Sequence, residues 1–381
     1  MGYSYCMKIL YTNFHEQCGG GHDTYIFTLC KALSSAHSIV VAAPENSLLL
    51  KKIATIAAVR TFPFNFQFRI NKFVALYKKV LELRRFLLKE QFDVIHVNGS
   101  KDHSLVILST ILVPKKPRII FTKHNSLPIK FGAKLRYSYF TDHVIAVSEN
   151  TKQMFSSIKT PVTVVYNGVD INFFKPYDKA LTLSLREKYG IKADDLVFGS
   201  VAGTALYKGW TLLLEAMAQL PTESLQGIKV IVAGDMPTLA ERETYNQQYR
   251  LKNALILTGL ISDVREVIAV MDVGFVLSYA VETISFACRE MMAMGKPVIV
   301  SNYAGLPENV TDSVDGYIVE SKNIDSIKKC IVKIMNKPQN LPIMGKNARR
   351  KAEESFSEQY FIENTLAVYT AEAGKLSNPT Q

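Results

Sequence analysis

Two glutamates, Glu282 and Glu290, stand with seven residues between them in the run VETISFACREMMAMGKPVIV. Carboxylates accept hydrogen bonds from hydroxyl groups, and the charge makes such bonds strong. The pair lies where an apolar strand, Val273 to Leu277, gives way to a loop and then to a helix of small residues that ends at Gly295. In an open α/β sheet, ligands bind beyond the carboxyl ends of the strands. One carboxylate is therefore expected to face a crevice from the loop, and the other from the first turn of the helix. Between them the backbone amides from about Thr283 to Ala287, including Ser285, Phe286 and Ala287, are expected to point outward at a helix N-terminus, which favours anions. An anion site flanked by two hydroxyl-reading carboxylates suits a sugar carried on a diphosphate.

Other residues carry compatible chemistry. Lys208-Gly209 follows a strand in GSVAGTALYKGW, and a lysine there can neutralise a diphosphate as a mobile point charge. The loop Cys18-Gly19-Gly20-Gly21-His22 lies between a first strand and a first helix, where glycines allow close backbone approach to a ligand. It is not the G-x-G-x-x-G dinucleotide fingerprint. His124 in FTKHNS and His96 in DVIHVNGS both end predicted strands. His96 reads as a supporting residue and Ser148-Glu149 as a helix cap.

The elements that must position these residues read as strand–helix repeats. Met7 to Thr12, Ile39 to Ala43, Phe92 to Val97, Arg118 to Thr122, His143 to Val147 and Thr163 to Tyr166 are short apolar runs of buried, parallel-sheet type. The rhythm restarts after VVYNGVDINFFKP with strands near Val197 to Val201, Val230 to Ala233 and Ala254 to Leu257, and a last helix is expected from Ser357. Asn167-Gly168 is a turn and Pro176 bars helix continuation, so a domain boundary is placed at 175/176. The expected domains are 1–175, 176–356 and a C-terminal helix in 357–381.

With Gly295-Lys296-Pro297 and the strand Val298 to Val300 behind it, the glutamate pair resembles the E-x7-E signature of retaining glycosyltransferases of family 4, and VVYNGVDINFFKP resembles the passage that closes their first domain. The resemblance covers nearly the whole chain. It implies an α/β GT-B fold, two Rossmann-like domains facing each other across a donor-binding cleft, the last helix crossing back to the first. It further implies that Glu290 binds the ribose of a nucleoside-diphosphate sugar and Glu282 the sugar. Lys208 would neutralise the diphosphate, His124 would lie beside the donor sugar, and the glycine loop and Gly203 would approach the donor. The family usually carries an arginine five or six residues before the lysine; here Gly203 and Ala202 stand there. Thr283-Ile284-Ser285 likewise replaces the usual Gly-Phe-Gly. The usual family mechanism is front-face attack with the donor phosphate taking the acceptor proton. No D-x-D metal motif is present, so no metal or other cofactor is required.

Composition narrows the setting. A chain of 381 residues with 48% apolar content supports two globular domains. No apolar run approaches the roughly 18 to 20 residues that span a bilayer. The opening MGYSYCMKIL predicts no signal peptide, and Cys6 does not suit N-myristoylation. Five cysteines without a C-x-x-C pair indicate neither zinc nor a disulfide framework. Residues 1–175 hold 23 Lys and Arg against 10 Asp and Glu, whereas the remainder holds 22 against 24. That basic half includes Arg69 to Glu90, an amphipathic helix preceded by Phe62, Phe64, Phe66 and Phe68, and exposed aromatics beside cations favour an anionic interface. The expectation is a cytoplasmic enzyme peripherally bound to the inner face of the plasma membrane through residues 69–90. It would move a sugar to a lipid-linked, lipopolysaccharide or other polysaccharide acceptor. A catalytically silent partner subunit, or a protein that only binds nucleotide sugars, is the alternative. No recognition helix or exposed aromatic platform supports nucleic acid as a partner.

Overall fold

A computed structural model describes residues 6–16, 20–111, 113–249 and 254–371. Contacts divide the chain into two compact units. One reaches to Asn167 and takes in the chain again from Phe361; the other is Gly168–Tyr360. The divisions fall within VVYNGVDINFFKP and within the last helix, Glu358–Thr370.

The first unit is built on β1 Lys8–Thr12, β2 Ser38–Ala43, β3 Val59–Pro63, β4 Val94–Val97, β5 Arg118–Lys123, β6 His143–Ala146 and β7 Val162–Val164. These parallel strands form one sheet in the order β3-β2-β1-β4-β5-β6-β7. The second unit holds β8 Leu196–Ser200, β9 Ile228–Val232, β10 Leu255–Leu257, β11 Val273–Val276, β12 Val298–Ser301 and β13 Gly316–Val319. They too are parallel, in the order β10-β9-β8-β11-β12-β13.

Side chains alternate between faces along a strand, and both faces of the first sheet are covered. Ile9 and Tyr11 of β1 pack with helix Gly21–Leu33 and the last helix, whereas Leu10 packs with the layer that holds helix Phe73–Glu90 and helix Ser100–Thr110. Ile39 and Val41 follow the first pattern, and Val40 and Ala42 the second. Burial on both sides explains why these strands read as unbroken apolar runs, each large side chain contributing about 1.5–3 kcal/mol. The strand order reverses at the first strand of each sheet: β1 lies between β2 and β4, and β8 between β9 and β11. Beyond the carboxyl ends of those neighbours lie the crevices where such sheets take ligands.

The aromatic lead-in departs from expectation. Phe64 and Phe66 are core residues, and Phe62 and Phe68 pack against the same core, with Phe62 stacked on Phe86 at 3.8 Å between centroids. Their two-residue period places them on the buried side of an extended segment. The exposed apolar residues are instead Ile70, Phe73, Val74 and Tyr77, with Leu88 further along the helix. The helix itself begins at Phe73, so Arg69 and Lys72 precede it.

Candidate functional site

In the second unit, the loops after β8 and β11 meet at the strand-order reversal. Gly209 makes the meeting possible: at φ +75°, a Cβ there would lie 2.1 Å from the Leu277 carbonyl oxygen. The Tyr279 amide donates to the Tyr207 carbonyl at 3.0 Å. Trp210, fully buried, pins the first loop by donating from Nε1 to the Thr204 carbonyl at 2.8 Å. Across this junction Lys208 Nζ reaches Glu282 Oε2 at 2.8 Å, and Ser278 Oγ donates to the same oxygen at 3.2 Å. The Glu282 side chain is 9% exposed and that of Lys208 20%, so the pair is shielded more than a surface bridge yet still reachable. Val281, immediately before Glu282, is 77% exposed and held at φ +51°, an outlier for a β-branched residue.

The following helix is Phe286–Ala293, with Ser285 as its N-cap; Ser285 Oγ accepts from the Cys288 amide at 3.3 Å. Two expectations are corrected here. Glu290 stands in the second turn of the helix, and Thr283 and Ile284 belong to the loop, where the Thr283 carbonyl accepts from Gly305 N at 3.0 Å. The cap is set by Ser285, which shortens the helix at its start. The amides of Phe286 and Ala287 then open the helix with no carbonyl one turn back to bond. No side chain among the described residues hydrogen-bonds the Glu290 carboxylate, and burial pushes its pKa up to about 7. A desolvated acid without a partner suits a group that reads hydroxyls on a ligand. Gly203 holds φ +93° with open space where a Cβ would stand.

In the first unit, β1, β4 and β5 deliver a different set. His124 Nε2 bonds Asn98 Oδ1 at 2.8 Å, and its ring lies 4.1 Å from His22, which lies 4.7 Å from His15. Asn13 donates to Asp23 Oδ1 at 2.9 Å beneath them. Burial, and then the neighbouring His15, lowers His22 to about 3; burial holds His124 well below its usual value. These imidazoles are neutral hydrogen-bonding groups at physiological pH. Gly20, at φ +54°, and Gly21 lead into the helix that carries His22, while Gly19 lies outside the described residues. His96 is fully buried between Tyr369 Oη at 2.5 Å and Thr122 Oγ1 at 2.6 Å, a supporting role as expected. Ser148 caps helix Glu149–Gln153, accepting from the Thr151 amide at 3.0 Å.

A cavity of about 730 Å³ opens beside His22 and His124, lined among others by Asn98, Lys123, Lys130 and Arg136. Sequence reading missed these cations and the contacts of Ser278. Lys123 sits next to His124 at the end of β5, which was a usable signal; Arg136 carried none. Among the described residues, no group of three or more His, Cys, Asp and Glu side chains is placed to hold a metal ion.

Within their own units, then, Lys208 joins Glu282, with Ser285, Phe286, Ala287 and Glu290 following on one loop and helix. Gly20, Gly21 and His124 belong to the other unit.

Residues 19–173 match Glycosyltransferase Family 4, and residues 183–351 match Glycosyl transferases group 1. A UDP-Gal:alpha-D-GlcNAc-diphosphoundecaprenol alpha-1,3-galactosyltransferase of Escherichia coli is 28% identical over 300 residues, covering 74% of this chain and 76% of that protein. A glycosyltransferase structure from Rickettsia africae ESF-5 superposes with a TM-score of 0.84 at 20% identity, over 96% of this chain and 98% of the other. Anabaena Alr3699/HepE in complex with UDP superposes with a TM-score of 0.81 at 19% identity, over 95% and 99%.

Proposed function

The chain belongs to the family 4, group 1 glycosyltransferases of GT-B fold, and we propose that it moves a sugar, with retention of anomeric configuration, from a nucleoside-diphosphate sugar to a lipid-linked or polysaccharide acceptor at a membrane surface. The observation that carries this reading is the shielded Lys208–Glu282 pair beside a helix start whose next carboxylate, Glu290, has no side-chain partner among the described residues. Glu290 takes the ribose hydroxyls, Glu282 a sugar hydroxyl, and Lys208 with the Phe286 and Ala287 amides the diphosphate. Those groups would answer the charge that grows on the leaving diphosphate, without a metal. Gly203 and Gly20 allow the backbone to approach the donor, and the neutral His124 offers a hydrogen bond without a competing charge. UDP in the Anabaena structure and the UDP-sugar of the Escherichia coli relative support a uridine donor. The latter's diphosphoundecaprenol acceptor supports a lipid-linked one.

Thermal-shift measurements with UDP-, GDP-, ADP- and CMP-sugars test the donor, since a bound ligand raises apparent stability. NMR of the product's anomeric proton then tests retention. Stabilisation by UDP-sugars with turnover supports the reading; stabilisation without turnover or donor hydrolysis favours a silent subunit. The absence of the usual arginine before Lys208 is what keeps that second reading in play.

Membrane contact through residues 69–90 takes a form different from the one first expected. Lys79 Nζ is engaged by the Asn65 carbonyl and Arg84 Nη1 by the Ile111 carbonyl at 2.5 Å. Lys78, Arg85 and Lys89 are instead exposed further along the helix that begins with the exposed Phe73, Val74 and Tyr77. Each cation near an acidic bilayer contributes about 1 kcal/mol. Reversing the three to glutamate should abolish co-sedimentation with anionic vesicles at low salt and leave UDP affinity unchanged. Equal sedimentation of the variant would remove this helix from the membrane contact.

A further inference from the structure

The cavity of the first unit has two kinds of wall. Its lining includes the cations Lys123, Lys130 and Arg136 and the apolar Leu127, Pro128 and Ile129. None of the three cations forms an ion pair with a carboxylate among the described residues. Lys123 Nζ donates to Asn125 Oδ1 at 2.6 Å and to the Leu127 carbonyl at 2.9 Å, both neutral acceptors. Burial pushes its pKa down to about 8, so the ammonium sits where an anion would relieve a desolvation cost. Arg136 Nη1 holds the Ser100 carbonyl at 3.2 Å and the Ser104 hydroxyl, while its Nε is buried without an acceptor. Lys123, 7% exposed, and Arg136 line the same cavity, and an ammonium with a guanidinium suits phosphate oxygens.

The lip of the same cavity is apolar and exposed. Helix Phe131–Phe140 starts there, and Phe131, Leu135 and Tyr139, four residues apart, form one outward stripe that Leu127 precedes. Phe131 is 78% exposed and Leu127 67%. The helix contains no carboxylate. A lone basic pocket would suit any phosphate; a basic pocket opening onto an exposed aromatic and aliphatic stripe suits a phosphate carrying a hydrocarbon chain.

We propose that this cavity seats the phosphate or diphosphate of a lipid-linked acceptor against Lys123 and Arg136, with its hydrocarbon chain leaving over Leu127 and Phe131. The assignment rests on the reading of the chain as a transferase with a lipid-linked acceptor, and it names where that acceptor is gripped. The head group and the chain are recognised by separable residues, which makes the test direct.

Calorimetry with farnesyl diphosphate, inorganic pyrophosphate and farnesol, each in the presence of excess UDP to occupy the nucleotide site, measures the two contributions. Farnesyl diphosphate should bind at least tenfold more tightly than pyrophosphate. Lys123→Met with Arg136→Gln should weaken both phosphate probes at least tenfold. Leu127→Ser with Phe131→Ser, both at exposed positions, should bring farnesyl diphosphate down to the level of pyrophosphate and leave pyrophosphate unchanged. Should the double charge variant not fold, Lys130→Gln, an exposed side chain, keeps the charge arm of the test. Equal binding of the two phosphate probes by the wild type, or wild-type affinity in the charge variants, overturns the proposal. Failure of the transferase reading shows separately, as an absence of turnover and of donor hydrolysis with UDP-sugars, whether or not UDP binds.

Discussion

All seven histidines lie in the first unit, and burial shifts every one of them downward; the second unit has none and instead keeps Glu290 with a pKa raised to about 7. The histidines of the first unit and Glu290 of the second therefore answer pH in opposite directions. Asp102 of the first unit, raised to about 6 by burial, answers as Glu290 does and offsets part of the histidine effect. A histidine held neutral contributes less as pH falls below its unfolded value, because the unfolded chain then binds a proton the folded chain refuses. A carboxyl held protonated contributes less as pH rises from the usual carboxylate range through about 7. The contrast fits the two tasks. A first unit whose imidazoles stay neutral beside a basic pocket leaves the charge facing an anion there to Lys123, lowered to about 8, and to Lys130 and Arg136. In the second unit, a carboxylate costly to ionise alone becomes favourable to ionise once hydroxyls donate to it.

The largest expected effect is acid unfolding of the first unit. His96 and His103, both fully buried, and His22 are each lowered to about 3. Each loses about 2 kcal/mol of stability between about pH 7 and pH 5, roughly 6 kcal/mol together, a large part of a typical domain's total. Trp210, the one tryptophan, reports the second unit. At about pH 5, amide exchange in β1 and β4 should accelerate while Trp210 emission stays native. Simultaneous loss of both signals at the same pH would break the contrast.

Next comes Lys208→Ala. Its removal leaves Glu282 shielded without its cation and removes the charge proposed to answer the leaving diphosphate. Turnover should drop by about 10²–10³, the effect of deleting one preorganised group aimed at developing charge. UDP affinity should change less than turnover. A kcat within about twofold of the wild type would leave the diphosphate to the Phe286 and Ala287 amides.

Glu290→Gln comes third and sharpens the pH comparison. In the wild type, UDP affinity should rise from about pH 6 to pH 8 as the acid ionises and gains its full acceptor strength. The variant should lose roughly tenfold at about pH 8, the worth of one charge-assisted hydrogen bond, and lack the pH-dependent part that Glu290 supplies. With no ligand, the same variant should melt higher than the wild type at about pH 8 and alike at about pH 4, because glutamine has no proton to lose. A wild-type melting temperature equal to the variant's at the higher pH would show that Glu290 is solvated.

How much of this was legible follows from what each element shows a reader. Strands buried on both faces, such as Ile39 to Ala43, announce themselves by unbroken apolar runs. The edge strand β3, VRTFP, is paired on one side and largely exposed, so its Arg60, Thr61 and Pro63 hide it. Glu282 and Lys208 were readable by type and spacing, but their bond was not, since it depends on Gly209 letting two loops touch. The phenylalanines before helix Phe73–Glu90 misled because an alternating pattern says that one side is buried without saying which. Arg136 was silent: a cation on an aromatic helix looks like surface until its neighbours are known.

The smallest effect tests whether the second unit's loop is under strain for the sake of Glu282. Val281 sits at φ +51° with its side chain mostly in solvent, so packing offers no reason for the backbone to hold that conformation. A β-branched residue there costs about 1–3 kcal/mol, and such strain gathers at functional loops. Glycine adopts the same φ freely but loses more freedom on folding, by roughly 0.5–1 kcal/mol. Val281→Gly should thus stabilise the protein by about 1 kcal/mol in urea denaturation, the difference between those two terms. The same freedom should let Glu282 wander from Lys208, and turnover should fall severalfold with UDP affinity unchanged, because Glu290 is held by the helix. A variant both more stable and fully active would show that the Lys208 and Ser278 bonds alone fix the carboxylate. A variant less stable than the wild type would show that the valine conformation carries no strain.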